Sequence, residues 1–553
     1  MSTPNPDRLA TEPVIVVGAG LAGLAAAIGV AVKGRQAIVF EAADMVGGAA
    51  AYSGGQVWIG ANHVAARDGL DDNLERVETY VRAIAQHGDP SLLDEAAMDR
   101  WLTTAPVAAQ YWEEVGAIDW TVIPGLTDYH AEADGAIGIG RYLTNQPIDG
   151  RDLGPWQAKL RRSPHFPIGV SYDRLVAVGR RQAMLEQEHD GSDPLTFGTG
   201  VVAWFLRRAL QEDLIELAVS HPVTELLTDE HGAVVGVRAE GPEGSRNEYG
   251  PVVLATSSYD HDPELVSELL GIEPENFGSV APRSLKGDAI HLVRKVGGDV
   301  ARIPATCVPM LPGWQDDNEP GFTYGPEYAL PGCITVDRHG RRFCDDSYWV
   351  SFVERALDPE DRHLPCFMVW DERHHRRYGL GATPPGGEYS DLVTSAPTLA
   401  ELGAELGIDG AELERTVDRF NPGAINGEDP EFGRGTVLFV RNYAGDPSNQ
   451  PNPLLAPLAE APFHGMRIQI VGTGIGSSGV RIDGDGHVLT AERQPIAGLY
   501  AIGSCAALLS SGTGYNSGFA LGRGLTLAYL VANELTGTGS DTSEPRKPVA
   551  SPA

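Results

Sequence analysis

Residues 14–17, all Val or Ile, form a short apolar run with the length and β-branching of one buried strand. A polar stretch, residues 1–12, precedes it. After a turn of small residues, a run of Ala, Leu and Ile to residue 32 suits a helix, and a second strand-like run covers residues 37–40. From 73 to 114 apolar residues recur at three- and four-residue spacing, which predicts helices broken at Pro90 and Pro106. Residues 124–174 are rich in Gly, Pro and aromatics without a period, so a long ordered loop region is expected. Helical spacing returns at 174–188 and 202–212. Residues 215–219, 221–227 and 234–239 read as a strand meander with turns at 229–232 and 241–244, and 251–256 as one more strand. Aromatic, Pro and charged residues are denser from about 278 to 450, which reads as an inserted body. Residues 498–503 then form a strand ending on a small-residue turn, and 512–518 lead into a helix through Leu530.

The chemistry begins at the first turn. Gly18, Gly20 and Gly23 stand in GxGxxG spacing between strand and helix. Gly18 allows the tight turn, Gly20 lets a pyrophosphate approach the backbone beside Leu21 and Ala22, and Gly23 lets helix and strand pack closely. The helix N-terminus presents free N–H groups to the phosphates. Glu41 ends the second strand, the place for a carboxylate that accepts hydrogen bonds from ribose hydroxyls. A second Gly-rich loop follows at once: Gly47, Gly48, Ala49, then Tyr52, Ser53, Gly54 and Gly55. NAD alone does not require it.

This pair of loops resembles the flavoprotein family that includes the flavin subunits of fumarate reductase and succinate dehydrogenase and the 3-ketosteroid dehydrogenases. The resemblance implies FAD, with the second loop running along its pyrophosphate and isoalloxazine. It implies an α/β, Rossmann-like FAD-binding domain of the glutathione-reductase type, built from 1–277 and 451–553, with an α+β substrate or cap domain inserted at 278–450. Further cofactor contacts are expected at Val223, Ala255, Thr256, Gly503, Ser504, Asn516, Ser517 and Gly518. The final helix is expected to point its N-terminus at the flavin pyrimidine edge. The run Ala255-Thr256-Ser257-Ser258 departs from the family's Ala-Thr-Gly-Gly, and Lys286-Gly287-Asp288-Ala289 from its Gly-Asp-Gly helix. Succinate dehydrogenase flavoproteins carry a flavin-linking His in the second loop. Here Ala49 to Ala51 stand there, so FAD is expected to be non-covalent.

The dicarboxylate enzymes also hold substrate with a His-rich run. The comparable segment, Gly474 to Val480, has no His, which argues against fumarate and succinate. The 3-ketosteroid dehydrogenases match better. Asp128-Tyr129-His130-Ala131-Glu132 with Gly140-Arg141 resembles the loop whose Tyr borders the flavin. Gly340-Arg341-Arg342-Phe343 followed by Tyr348 resembles a second motif, and Ser510-Ser511-Gly512-Thr513-Gly514 stands where those enzymes have Tyr-Pro-Gly-Pro-Gly. The resemblance implies oxidation of the C–C bond α,β to the ketone of a steroid-like or other alicyclic substrate. One group polarises the carbonyl, a base takes the α-proton, and flavin N5 accepts hydride from the β-carbon. Tyr348 is expected as base, assisted by Tyr129, with Gly514 and a hydroxyl of Ser510, Ser511 or Tyr515 polarising the ketone. The rival readings are the reverse reaction on an activated C=C bond and, from another class, a non-catalytic flavin-binding protein.

Composition adds limits. The 553 residues exceed one ordinary core, and 42% hydrophobic with 21% charged residues suits a folded chain. A formal net charge of −33 opposes nucleic acid and anionic membranes. Five scattered cysteines without a CxxC, and no basic n-region before the apolar span 14–32, suggest reduced thiols in a cytoplasmic protein with neither signal peptide nor membrane span. His130, His291, His374 and His375 lack metal-ligand spacing along the chain and read as surface or structural residues, and Arg341-Arg342 as a solvated turn pair. No metal is expected. Neither the electron acceptor nor the oligomeric state is specified.

Overall fold

The computed structural model describes residues 12–85, 89–166, 169–172, 174–175, 192–312, 321–322, 327–381 and 383–537. Its first sheet grows from the expected strand Val14–Val17. Ala37–Phe40 and Ile215–Ala218 lie on one side of it, Val252–Leu254 and Pro495–Ala501 on the other, all parallel, with His487–Leu489 antiparallel at the edge. A parallel sheet must be covered on both faces, and these strand residues are almost fully buried at the centre. The helix Leu21–Ala31 covers one face and packs on the C-terminal helix Phe519–Leu535. They approach so closely that a Cβ on Gly29 would lie 2.7 Å from Ala532 Cβ.

Several expectations change. Ile215–Ala218 was expected in the meander and instead extends the parallel sheet beside Ala37–Phe40. The meander comprises Val223–Thr228, Val234–Gly241 and Gly244–Tyr249. Strand periodicity shows which face is buried but not which neighbour is hydrogen-bonded. Pro90 interrupts the helices as expected, but Pro106 lies inside the continuous helix Glu95–Glu114. An interior proline costs a helix about 3 kcal/mol. Trp101, Leu102, Ala105, Ala108, Ala109 and Trp112 are all buried along this helix, and burial at about 25 cal/mol per Å² outweighs that cost. The region 124–174 is more ordered than a loop. Tyr142–Asn145 pairs with Val57–Trp58 and Trp120–Val122, and a kinked 3-10 segment spans Gly150–Lys159. The expected helix at 174–188 falls almost entirely outside the described residues.

The second body is a mixed sheet ordered Phe277–Ser279, Phe463–Gly472, Cys366–Asp371, Cys333–Asp337, with Val308–Met310 and Thr394–Ala396 also on Phe463–Gly472. Helices Leu399–Leu406 and Gly410–Asn426 cover it through Leu402, Leu413 and Val417 against Ile334, Val336 and Val369. The strand Phe463–Gly472 lies past the expected boundary at 450, yet its pairing places it in this second sheet. Arg342 is a further correction. It is not solvated but 1% exposed, bonded to Asp346 (3.0 Å) and Asp429 (2.8 Å), with Arg434 on the other side of Asp346. Only Arg341 faces solvent. The Gly-Arg-Arg-Phe motif therefore supplies a buried ion network that fixes the chain leading to Tyr348. All five cysteines are buried and unpaired, and among the described residues no helix is long and apolar enough to cross a membrane.

Candidate active site

Described residues of both bodies line a cavity of about 1720 Å³. At one end it is built from backbone. Gly18 holds φ +109°, and a Cβ there would lie 2.4 Å from Ala255 O; one on Gly23 would lie 2.0 Å from Gly18 O. Those two glycines shape the turn. A Cβ on Gly20 would meet nothing nearer than Gly47 O at 4.0 Å, so this residue faces open space at the N-cap of Leu21–Ala31, as a pyrophosphate site requires. Leu21, Ala22, Gly48, Ala49, Tyr52, Ser53 and Gly54 continue the wall, with Val223, Ala255 and Thr256 opposite. Glu41 also lines it, its oxygens accepting from Ala19 N and Ala43 N at 2.9 Å. Burial pushes its carboxyl pKa up, against those two hydrogen bonds. A carboxylate so anchored, with lone pairs left toward the cavity, suits ribose hydroxyls.

Gly503, Ser504, Ser517 and Gly518 also line this end. Gly518 caps the C-terminal helix at φ +83°, which brings the positive helix end to the cavity. Ala520, Leu521 and Gly524 on its first turns also line the wall and were not anticipated. Ser257 stands where the family has glycine and holds φ +64°. The backbone path is kept, at roughly 1–2 kcal/mol for a residue with a Cβ.

Four expected cofactor contacts do not line the cavity. Gly23 is the packing glycine already described. Gly47 holds φ +117° and donates its N–H to Ala19 O at 2.9 Å, while a Cβ on Gly55 would lie 2.3 Å from Phe197 C. Both fix the second loop rather than touch what it holds. Asn516 is buried and its amide is consumed internally. Oδ1 accepts from Tyr80 Oη (2.7 Å) and Tyr129 N (2.9 Å), and Nδ2 donates to Tyr142 Oη (2.8 Å) and Ser517 O (2.9 Å). The residue ties the Tyr129 loop to the turn before the final helix.

The other end is built from side chains. Tyr129 and Tyr515 line it with Tyr328, Trp349, Phe439 and Tyr443. The Tyr129 ring lies 5.2 Å from that of Trp349 and 4.6 Å from that of Phe439. Its loop is held from behind by Arg141, which donates to Asp72 (2.8 and 2.9 Å) and to Asp128 (2.9 Å); Trp58 Nε1 donates to Asp128 at 2.7 Å. The expected Asp-Tyr…Gly-Arg motif is thus an ion triad that seats a tyrosine.

The remaining catalytic candidates lie elsewhere. Tyr348 does not line the cavity, and its hydroxyl faces His130 Nδ1 at 3.4 Å instead of Tyr129. Burial, then Asp345 and Glu354, push its pKa up, the wrong direction for a base. Gly514 packs on the helix Leu74–Ala85, where a Cβ would lie 2.7 Å from Ile84 C, and its N–H already donates to Ser511 O at 3.0 Å. Ser510 is buried beside Trp101 and Arg523 in a separate space of about 20 Å³. Its motif position brings its hydroxyl no nearer the cavity, because the turn faces the helix Glu95–Glu114 side. His130, read as surface or structural, is a link: Nε2 donates to Tyr515 O at 3.0 Å, which leaves Nδ1 to accept from Tyr348. His165 also lines the cavity and was missed; a lone histidine in an aperiodic stretch carries no signal.

Comparison with known proteins agrees with this architecture. The chain is 30% identical to 4-oxocyclohexanecarboxylate 2-dehydrogenase of Sinomonas cyclohexanicum over 95% of this chain and 93% of that protein. It is 29% identical to 3-oxosteroid 1-dehydrogenase of Mycobacterium tuberculosis, over 94% of this chain and 97% of the relative. The crystal structure of 3-ketosteroid delta1-dehydrogenase from Sterolibacterium denitrificans, in complex with 1,4-androstadiene-3,17-dione, superposes with a TM-score of 0.84 at 25% identity, covering 95% of this chain and 99% of that one. The fold extends to a flavocytochrome c3 fumarate reductase, at TM-score 0.61 and 17% identity, over 96% and 79% of the two chains. The model of the FAD binding domain matches residues 13–522. With a cradle that fits a dinucleotide and these relatives along nearly its whole length, the chain belongs to the FAD binding domain family and is a FAD-dependent oxidoreductase acting on CH–CH groups.

Proposed function

We propose that this enzyme desaturates the C–C bond α,β to the ketone of a neutral, steroid-like or other alicyclic substrate, with FAD held non-covalently. One observation carries the reading. The nucleotide cradle opens without a break into an aromatic chamber bearing the Tyr129 and Tyr515 phenols, and among the described lining residues there is no Lys or Arg. The charged groups that do line the cavity are the carboxyl side chains Glu41, Asp288 and Glu327. A carboxylated ring, such as the oxocyclohexanecarboxylate that the Sinomonas relative is named for, would lack the charged donors that hold a carboxylate. An uncharged ketone, such as the oxosteroid named for the mycobacterial relative, meets no such cost.

Bound along Gly20, Glu41, Gly48 and Gly518, FAD would supply a two-electron acceptor for the hydrogen leaving the β-carbon. The chain's own residues handle the proton. In this reading Tyr515 donates a hydrogen bond to the ketone oxygen, which acidifies the α-hydrogen, and Tyr129, ionised to the phenolate after giving its own proton to solvent, receives the α-proton and becomes the neutral phenol. The Asp72–Arg141–Asp128 triad and Asn516 hold Tyr129 in place, and the aromatic walls exclude water. Tyr348 and His130 form a second layer behind the loop.

Anaerobic titration tests the proposal. Saturated 3-ketosteroids or uncharged cyclohexanones should bleach the flavin and yield the α,β-enone, while 4-oxocyclohexanecarboxylate, succinate and fumarate should not turn over. Turnover of either dicarboxylate at ordinary enzyme rates, on the order of 1–10³ per second, would overturn it. Acid precipitation should release FAD into the supernatant; flavin retained in the pellet would refute non-covalent binding.

A further inference from the structure

We propose that Glu372, His375 and His464 form a binding site for a divalent transition-metal ion of the zinc class, one that staples the cap to a loop lining the substrate end of the cavity. Glu372 and His375 stand three apart on the helix Glu372–Arg377, and His464 arrives from the strand Phe463–Gly472, which Cys366–Asp371 joins to that helix. One ligand atom from each lies within 4.8 Å of the others. Glu372 Oε2 is 3.1 Å from His375 Nδ1 and 3.1 Å from His464 Nε2. Ligands about 2.0–2.1 Å from a tetrahedral zinc are separated by roughly 3.3 Å, so both pairs need only a small opening.

The hydrogen bonds around the cluster favour a cation at its centre. His375 Nε2 faces Gly387 O at 2.8 Å. A carbonyl only accepts, so Nε2 carries the hydrogen, and in the neutral ring Nδ1 is a bare lone pair. That lone pair confronts a carboxylate oxygen at 3.1 Å, an arrangement that requires a positive centre between them: a proton on the ring, or a metal. On the other side Ser395 Oγ lies 2.7 Å from His464 Nδ1, which leaves Nε2 toward the centre. Each histidine therefore has its outer nitrogen engaged, as metal-ligating histidines do. Two-histidine, one-carboxylate sets suit zinc and leave a fourth position for water. The Tyr389 ring, 4.3 Å from that of His375 and 5.2 Å from that of His464, walls one side. His464 is nearly buried while Glu372 is 21% exposed, so an entry path exists.

The connection to the cavity is short. His375 holds Gly387 O through its ring and Gly386 N through its own carbonyl at 2.8 Å. Gly379, Gly381, Thr383, Pro384 and Pro385, on the segment between, line the cavity. A metal that fixes the His375 ring fixes the anchor of that segment.

The test uses the FAD-loaded enzyme, stripped with a chelator and dialysed, then titrated with Zn²⁺ against a chromophoric zinc indicator, with elemental analysis for stoichiometry. One zinc per chain is expected, with at least 10²-fold weaker binding in Glu372→Gln and in His464→Gln. Ser395→Ala should weaken it 10- to 10²-fold, the usual effect of losing an outer-shell partner. Flavin content and melting temperature, read on the same samples, show that each variant is folded. Zinc should also raise the melting temperature of the wild type and lower its KM for the ketone more than it changes kcat. Substoichiometric zinc, or equal binding by a folded Glu372→Gln/His464→Gln variant, overturns the site. So does a cluster that binds no zinc yet shifts the melting point with pH, which would show a proton at its centre. Ketone turnover that persists without zinc leaves the proposed reaction untouched, so the two readings fail separately.

Discussion

The two ends of the cavity are made by different means. At the nucleotide end the shape comes from backbone: Gly18 at φ +109°, Gly20 open to the cavity and the helix ends at Leu21 and Phe519, with Glu41 as the acidic side chain. At the ketone end the wall consists of side chains from segments far apart in sequence, Tyr129, Trp349, Phe439 and Tyr515, held by a second layer of Arg141, Asn516 and His130. A backbone site tolerates few residue types, because only glycine lacks the Cβ that would collide. A side-chain site depends on which of 17 tyrosines the fold turns inward. The first kind of site is rigid and shared across a family; the second can be rebuilt for another substrate.

That contrast can be broken most sharply at Gly23. A valine there would drive its Cβ to 2.0 Å from Gly18 O, against backbone that cannot yield. Gly23→Val should lose FAD and fold poorly, read as the ratio of flavin to protein absorbance and as soluble yield. A yellow, fully loaded variant would mean that the nucleotide end is not backbone-determined.

At the ketone end the expected effect is catalytic. Tyr129→Phe should keep FAD and lose about 10²–10⁴-fold in flavin reduction by ketone, the usual range for a general base, whereas Tyr348→Phe should lose less than about 10-fold because its hydroxyl faces His130 and not the cavity. Anaerobic stopped-flow reduction of each variant decides, and the reverse order would return the base to Tyr348.

A smaller effect concerns the sheet edge under the nucleotide end. His487 donates to Asp483 and Glu534, each at 2.8 Å, and these partners, Asp483 first, raise its pKa to about 9 against the opposing effect of burial. A raised imidazole pKa stabilises the fold fully below its ordinary value near 6.5 and loses that contribution as pH rises through about 9. Melting temperature should therefore fall between those values by an amount worth roughly 1 kcal/mol for a partly exposed pair, and His487→Gln should flatten that part of the profile. An unchanged profile would remove His487 as the titrating group.

Smallest of all, Ser257→Gly should relieve the left-handed strain of φ +64°. With FAD retained, the melting temperature should rise by less than about 1 °C, since the roughly 1–2 kcal/mol of strain relieved is offset by about 0.5–1 kcal/mol of extra chain entropy that glycine loses on folding. A fall would show that the serine hydroxyl, 3.4 Å from Gly474 O, contributes more than the strain costs.

Much of the first sheet was legible because buried parallel strands are short apolar runs, and Val14–Val17, Ala37–Phe40 and Val252–Leu254 read that way. The misplacements share one cause. Ile215–Ala218 is a recognisable strand whose partner is set by topology, Phe463–Gly472 joins the second sheet from beyond the expected boundary by the same kind of pairing, and Pro106 is tolerated because buried tryptophans on the same helix outweigh a lost hydrogen bond. Gly514 and Ser510 sit in the expected motif position, yet the turn carrying them packs on neighbouring helices.

The sequence by itself determined the cofactor, since GxGxxG, the acid at Glu41 and the second glycine loop encode backbone geometry locally, within residues 14–55. Only the tertiary structure decided which phenols meet the cavity, that Arg342 and Arg141 are buried ion centres, and that His464 joins Glu372 and His375. Arg342 meets Asp429 across 87 positions of sequence and Glu372 meets His464 across 92, and no local period records a contact made by the folding of a distant strand. Local sterics can be read from the order of residues, but convergence of side chains belongs to the fold.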